Sequence, residues 1–271
     1  MIRQKLILFI TACFVFILTS NSFAGILEYK TEGKQSIDVK IEGFYLRFNS
    51  SDLIKINGHM EGIGLSYTSR LPKNLIIKPE FWFAEGYTEY NGPLEHSNNS
   101  SPGTLDDVKS YLFELRTLLG YDYKISEAFS PIPYTGVGFR LLYLDVDGRI
   151  TYTTSRSTVK LGSIDYTNIY IPFGIKFSGN LYGEAPNQWI FTATAEDDIS
   201  LWKLRGNGLR GSIEFQRRFK YVSIAVEPFI RYWRFKEDKA PVHDASGNEV
   251  GKATEPANRT TEIGIDWKIR F

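Results

Sequence analysis

The segment Ile263–Phe271 alternates apolar and polar residues without a break. Ile263, Ile265, Trp267, Ile269 and Phe271 share one parity, and Gly264, Asp266, Lys268 and Arg270 share the other. Side chains alternate across a strand with period two, so this segment predicts a strand with one apolar face and one charged face. The pattern recurs along most of the chain, with strands predicted at about 36–47, 58–69, 76–88, 108–124, 134–147, 161–178, 188–200, 207–219, 221–236 and 258–271. In the first, Ile37, Val39 and Ile41 oppose Asp38, Lys40 and Glu42. In the fifth, Val137, Phe139, Leu141 and Tyr143 oppose Gly136, Gly138 and Arg140. Stretches rich in Gly, Pro, Asn and Ser separate the strands, and no repeat or low-complexity linker interrupts the series. One all-β domain is therefore expected.

Two architectures present such alternation. A soluble sandwich turns its apolar faces inward, whereas a barrel in a bilayer turns them outward to lipid. Predicted strands of ten residues or more exceed the roughly 5–6 of soluble strands. The connections also sort into two classes. Those after the third, fifth and ninth strands read as long polar loops, the third-strand loop including Asn98-Asn99-Ser100-Ser101-Pro102-Gly103 and the fifth-strand loop covering 149–160. Those after the second and eighth are tight, those after the fourth and sixth are intermediate, and those after the first and seventh are shorter than the pattern predicts. Long loops on one end and short turns on the other suit a single antiparallel up-and-down transmembrane β-barrel of about ten strands; eight or twelve also fit the pattern.

The first residues point the same way. Arg3 and Lys5 precede an apolar run, Leu6–Leu18, and Ser22-Phe23-Ala24 is a small-x-small site, so residues 1–24 read as a cleaved signal peptide and 25–271 as the barrel. An uncleaved anchor is the alternative, but the run is short for a span of about 20 residues. Ile10-Thr11-Ala12-Cys13 resembles a lipoprotein box but splits the apolar run instead of ending it. Cys13 is the only cysteine, so the mature chain has no disulfide or thiolate chemistry. Losing Arg3 and Lys5 from 32 Lys and Arg leaves the bases one short of the 31 Asp and Glu, a balance that argues against a nucleic-acid-binding face. The 16 Tyr, 19 Phe and 5 Trp suit aromatic girdles.

With the leader, the alternation and the closing Thr260–Phe271 in view, the sequence resembles the outer-membrane protein β-barrel superfamily, the small barrels related to the transmembrane domain of OmpA. The resemblance implies a bacterial outer membrane, Gram-negative, as the location. It also implies recognition of Trp267, Ile269 and Phe271 by the barrel-assembly machinery, and outer-membrane lipid and lipopolysaccharide as surroundings. It implies no particular activity, because the superfamily hosts adhesins, enzymes, small channels and structural proteins.

If the apolar faces meet lipid, the other faces meet a lumen. That lumen would carry Glu114, Arg116, Arg140, Glu196, Arg210, Glu214, Glu227, Arg231 and Glu262, with both signs interspersed. About ten strands leave an interior that side chains fill, whereas wide channels need about 16–18. The expected lumen is therefore filled by ion pairs, and Glu227 and Arg231, four apart on one face, each pair across strands. A narrow small-solute channel is the alternative, although a selective pore favours a ring of one sign.

Catalytic readings are weaker. An omptin-like protease implies acids facing an Asp–His pair; Asp106-Asp107 and His243-Asp244 supply the residue types, but in polar loops. A lipid A deacylase implies a lipid-facing His and Ser; His59 and Ser66 are seven apart and so fall on opposite faces. His96 sits in a polar loop, and three scattered histidines form no recognisable metal site. Arg149, Arg156 and Lys160 offer charge to lipopolysaccharide phosphates. The expectation is a non-catalytic, monomeric barrel without cofactor or metal, with a structural or surface-recognition role.

Overall fold

Alternation of this length can satisfy every backbone donor and acceptor only if each strand has a neighbour on both sides. In the computed structural model this condition is met by closure. The structure describes residues 35–271 except 51–53, 97–98, 127–128, 155–156, 184–186, 202–205, 244–248 and 256; for 93–102, 146–162, 164 and 238–256 it describes backbone at most. The expected signal peptide lies outside the described residues.

Strands β1 (Gln35–Ser50), β2 (Ile54–Arg70), β3 (Leu75–His96), β4 (Asn99–Tyr121), β5 (Phe129–Thr154), β6 (Ser157–Tyr182), β7 (Trp189–Ser200), β8 (Gly206–Arg218) and β9 (Ser223–Phe235) pair in sequence, all antiparallel. A separate hairpin, β10 (Asp238–His243) with β11 (Glu249–Glu255), occupies the next connection. Strand β12 (Asn258–Arg270) then pairs with both β9 and β1, closing a barrel of ten strands. The closing register runs from Asp38↔Arg270 to Ser50↔Asn258 without a shift. At its end Ile37 and Phe271 exchange backbone hydrogen bonds of 3.2 and 2.9 Å.

Both ends of the barrel sequence, and the β2–β3, β4–β5, β6–β7 and β8–β9 connections, lie at one end, here the turn end. The other connections define the hairpin end. The β2–β3 turn is a single 3-10 turn, Pro72–Asn74, in which Lys73 and Asn74 take positive φ. All three expected long loops carry strand: the one after β9 holds the β10–β11 hairpin, and the other two extend barrel strands. The β3–β4 hairpin continues to His96 and Asn99, and β5–β6 to Thr154 and Ser157. Ser and Thr content marked these stretches as loops, yet the backbone pairs again in them, in β5–β6 after an irregularity between Asp145 and Ile150, as tertiary pairing overrides local preference.

The outer face is apolar. Ile41, Ile63, Ile263 and Trp267 are each more than half exposed, whereas Glu42, Glu262 and Asp198 are at most 1 % exposed inside. This is the reverse of a soluble protein's distribution. Cross-strand aromatic ladders line the outside, such as Phe81–Phe113–Phe139, with ring centroids 5.5 and 6.0 Å apart.

Candidate functional site

The inward parity of each strand places charge in the turn-end half of the lumen. All nine residues expected there line it, and each has an ion-pair partner. Arg231 on β9 clasps Glu42 on β1 with bonds of 2.7 and 3.1 Å and reaches Glu262 at 3.3 Å. Arg140 on β5 donates to Glu262 on β12 and lies 3.4 Å from Glu114. Arg210 on β8 joins Glu114 at 2.7 Å, Glu196 at 3.0 Å and Asp198 at 2.6 Å. Arg116 links Glu196 at 2.6 Å to Glu80. Lys268 bridges Glu214 at 3.0 Å and Glu227. Glu227 and Arg231 thus each find a partner on β12.

The strand order decides what these pairs do. Counting round the barrel, β5 and β12 stand five strands apart of ten, so the Arg140–Glu262 pair spans the full diameter. Arg210–Glu114 joins strands four apart. These are struts across the lumen, not rows along its wall. Two tyrosines complete them. Tyr170 lies over Gly138, and Tyr134 over Gly174; a Cβ on either glycine would sit 2.1 or 2.3 Å from the ring. The phenols so placed donate to Glu114 and Glu196, each at 2.8 Å. Two tryptophans roof the layer: Arg231 lies 4.6 Å from the Trp82 ring centre, and Arg140 and Arg210 each 5.2 Å from that of Trp233.

The hairpin-end half differs from expectation. Its lumen is filled by apolar side chains, among them Phe44, Leu46, Phe48, Ile56, Leu112 and Leu144, all nearly or wholly buried. An ion-pair filling therefore describes only half the interior. The signal was present in the sequence: on β1 the inward parity reads Asp38, Lys40, Glu42 and then Phe44, Leu46, Phe48. The period-two contrast between faces is the stronger signal and masks this change along one face.

Between the struts and the turn end lies a cavity of about 110 Å³ lined by charged side chains including Lys40, Lys78, Lys176 and Lys268. A second, of about 10 Å³, lies beside Tyr166, Asn168 and Asn258 in the apolar half.

The candidate catalytic residues are not brought together. Asp106 and Asp107 are exposed on β4, and Asp107 has φ 56° where two residues oppose Glu89, a β-bulge. His59 faces outward, its ring 5.2 Å from that of Tyr45, and Ser66 faces inward. The side chains of His96, His243, Asp244, Arg149, Arg156 and Lys160 lie outside the described residues. Among the described residues no group of three or more His, Cys, Asp or Glu is placed to hold a metal. Trp267, Ile269 and Phe271 face outward and are exposed.

No protein-family model and no curated protein matches the sequence. Solved structures do. The outer-membrane protease OmpT from Escherichia coli superposes with a TM-score of 0.51 at 10% identity, covering 89% of this chain and 97% of that one. The translocator domain of the autotransporter NalP from Neisseria meningitidis gives 0.48 at 12% identity, covering 95% and 96%. At such identity the likeness to OmpT concerns the backbone and carries none of its chemistry. Closed antiparallel topology, outward apolar faces and this superposition agree: the chain has the fold of the outer-membrane β-barrels.

Proposed function

We propose that the protein is a monomeric barrel of a Gram-negative outer membrane, with a closed lumen and no catalytic site, acting as a structural or surface-recognition element. The reading rests above all on one observation: large apolar side chains are exposed all round the outside while carboxylates and guanidiniums are buried across the diameter. Water cannot stabilise that arrangement; a bilayer can. The turn end then faces the periplasm and the hairpin end the exterior.

Lipopolysaccharide is the proposed lipid partner at the exterior rim. Arg47, Lys55, Arg234 and Arg259 are exposed and point outward on β1, β2, β9 and β12. Lys55, Arg259 and Arg234 share one register row, Lys55↔Asn49↔Arg259↔Arg234, and Arg47 lies two residues back along β1 in the row of outward Tyr232. Among the described residues none of the four has a carboxylate partner within 4.0 Å. Phosphate groups suit such a cluster.

The test is refolding into lipid vesicles, with heat-modifiable gel migration as the sign of a barrel, followed by planar-bilayer recording. A folded barrel without conductance steps is expected. Steady steps would favour the narrow channel, and activity lost in His243→Ala with folding retained would favour the protease.

A further inference from the structure

Seven cations line the larger cavity, and six of them have a carboxylate within 4.0 Å; Lys176 on β6 does not. Its cross-strand neighbours are Ile132 and Thr194, which carry no charge. Its ammonium lies 5.4 Å from the centre of the Tyr134 ring, whose hydroxyl is committed to Glu196. Nearby carboxylates are already engaged: Glu80 by Lys78 and Arg116, Asp38 by Arg270, and Asp266 by Lys40. The side chains on the cavity's turn-end side keep accessible surface. Lys78, Glu80 and Lys268 keep 16, 17 and 14 % of their side-chain surface, whereas Glu42 and Glu262, in the strut layer, keep none.

A partly desolvated ammonium without a counter-charge is costly, and an anion offsets that cost. The wall supplies further donors: Lys78 and Lys268 line the same space. About 110 Å³ holds several waters or one phosphate-sized ion. Six carboxylates, Asp38, Glu80, Glu114, Glu196, Glu227 and Asp266, line the same chamber, so its seven cations leave one net positive charge, which low-dielectric walls focus into it. We propose that the turn-end chamber is a binding site for a small oxyanion, with phosphate as its type, held by Lys176 and flanked by Lys78 and Lys268. The site is closed toward the hairpin end by the Arg140–Glu262 and Arg210–Glu114 struts, so it is a pocket entered and left from one side.

The test is titration of the full chain, refolded in a neutral maltoside detergent, with sodium phosphate against sodium chloride at matched ionic strength. Unfolding temperature and phosphorus-31 line width are the two readouts. Phosphate is expected to raise the unfolding temperature saturably, and sulfate to compete. Lys176→Met should weaken the response at least tenfold. Without phosphate, this variant should unfold no earlier than the parent, because it removes an uncompensated charge. If Lys176→Met does not fold, Lys176→Arg keeps the charge and should keep the response, while line broadening in the parent alone still reports binding. An equal response to chloride, an unchanged response in Lys176→Met, or no broadening in the parent overturns the proposal.

Discussion

Gly138 matters for what it lacks. A Cβ there would sit 2.1 Å from Cζ of Tyr170, so the ring that reaches Glu114 and stacks edge-on to Trp233 at 5.1 Å depends on the bare backbone opposite. Gly138→Val should displace the ring and destabilise the barrel by about 1–3 kcal/mol, as overpacking does, measured by urea unfolding in vesicles. Arg140 is the complementary case. Replacing a buried ion pair with apolar groups is often neutral, but removing one partner strands the other. Arg140→Met should cost about 3–5 kcal/mol in the same assay, and a cycle with Glu262→Gln should recover part of it. The sequence marked Gly138, Arg140 and Glu262 as sharing the inner surface. It did not reveal that Arg140 meets Glu262, because those residues lie 122 positions apart and only closure at ten strands puts them face to face.

Along β1 the outward row holds Ile37, Val39, Ile41 and Tyr45 before it reaches Arg47. If this row crosses lipid as proposed, Ile41→Lys should cost about 2–4 kcal/mol of folding free energy in vesicles, and Arg47→Ala little. Equal small effects would count against a bilayer around this strand. On β4 the bulge at Asp107 holds a left-handed backbone, which Asp tolerates and Gly prefers. Asp107→Gly should therefore leave stability unchanged or raise it slightly, and Asp107→Val should lower it. Strand positions in the middle of each element were readable because period two is a strong local signal. The far ends of β3 to β6 were not: Ser, Thr, Asn and Pro there look like loop residues, and only pairing with a partner strand keeps them extended.

For the molecule as a whole, two seals of different chemistry act in series: charged struts toward the turn end and an apolar fill toward the hairpin end. Removing both struts with Arg140→Ala, Glu262→Ala, Arg210→Ala and Glu114→Ala should leave a folded barrel silent in a planar bilayer. Adding Leu46→Gly and Phe48→Gly should give conductance steps. Continued silence of the sixfold variant, with heat-modifiable migration intact, would show that some other part of the chain blocks the lumen. If the rim cluster holds lipopolysaccharide as proposed, neutralising Arg47, Lys55, Arg234 and Arg259 together should weaken that binding and flatten its dependence on salt. The length of β5 and β6 has a further consequence. Among the described side chains the outward apolar row on β5 ends at Tyr143, yet the strand runs on to Thr154, and at about 3.3 Å per residue this is roughly 36 Å of strand beyond that row, paired with β6 on either side of an irregularity between Asp145 and Ile150. If the barrel stands in an outer membrane as proposed, such a ribbon is a stand-off that carries its tip clear of the short sugars next to the bilayer. An epitope inserted after Thr154 should be open to antibody on intact cells, while the same epitope after Pro72 should be hidden until the envelope is breached.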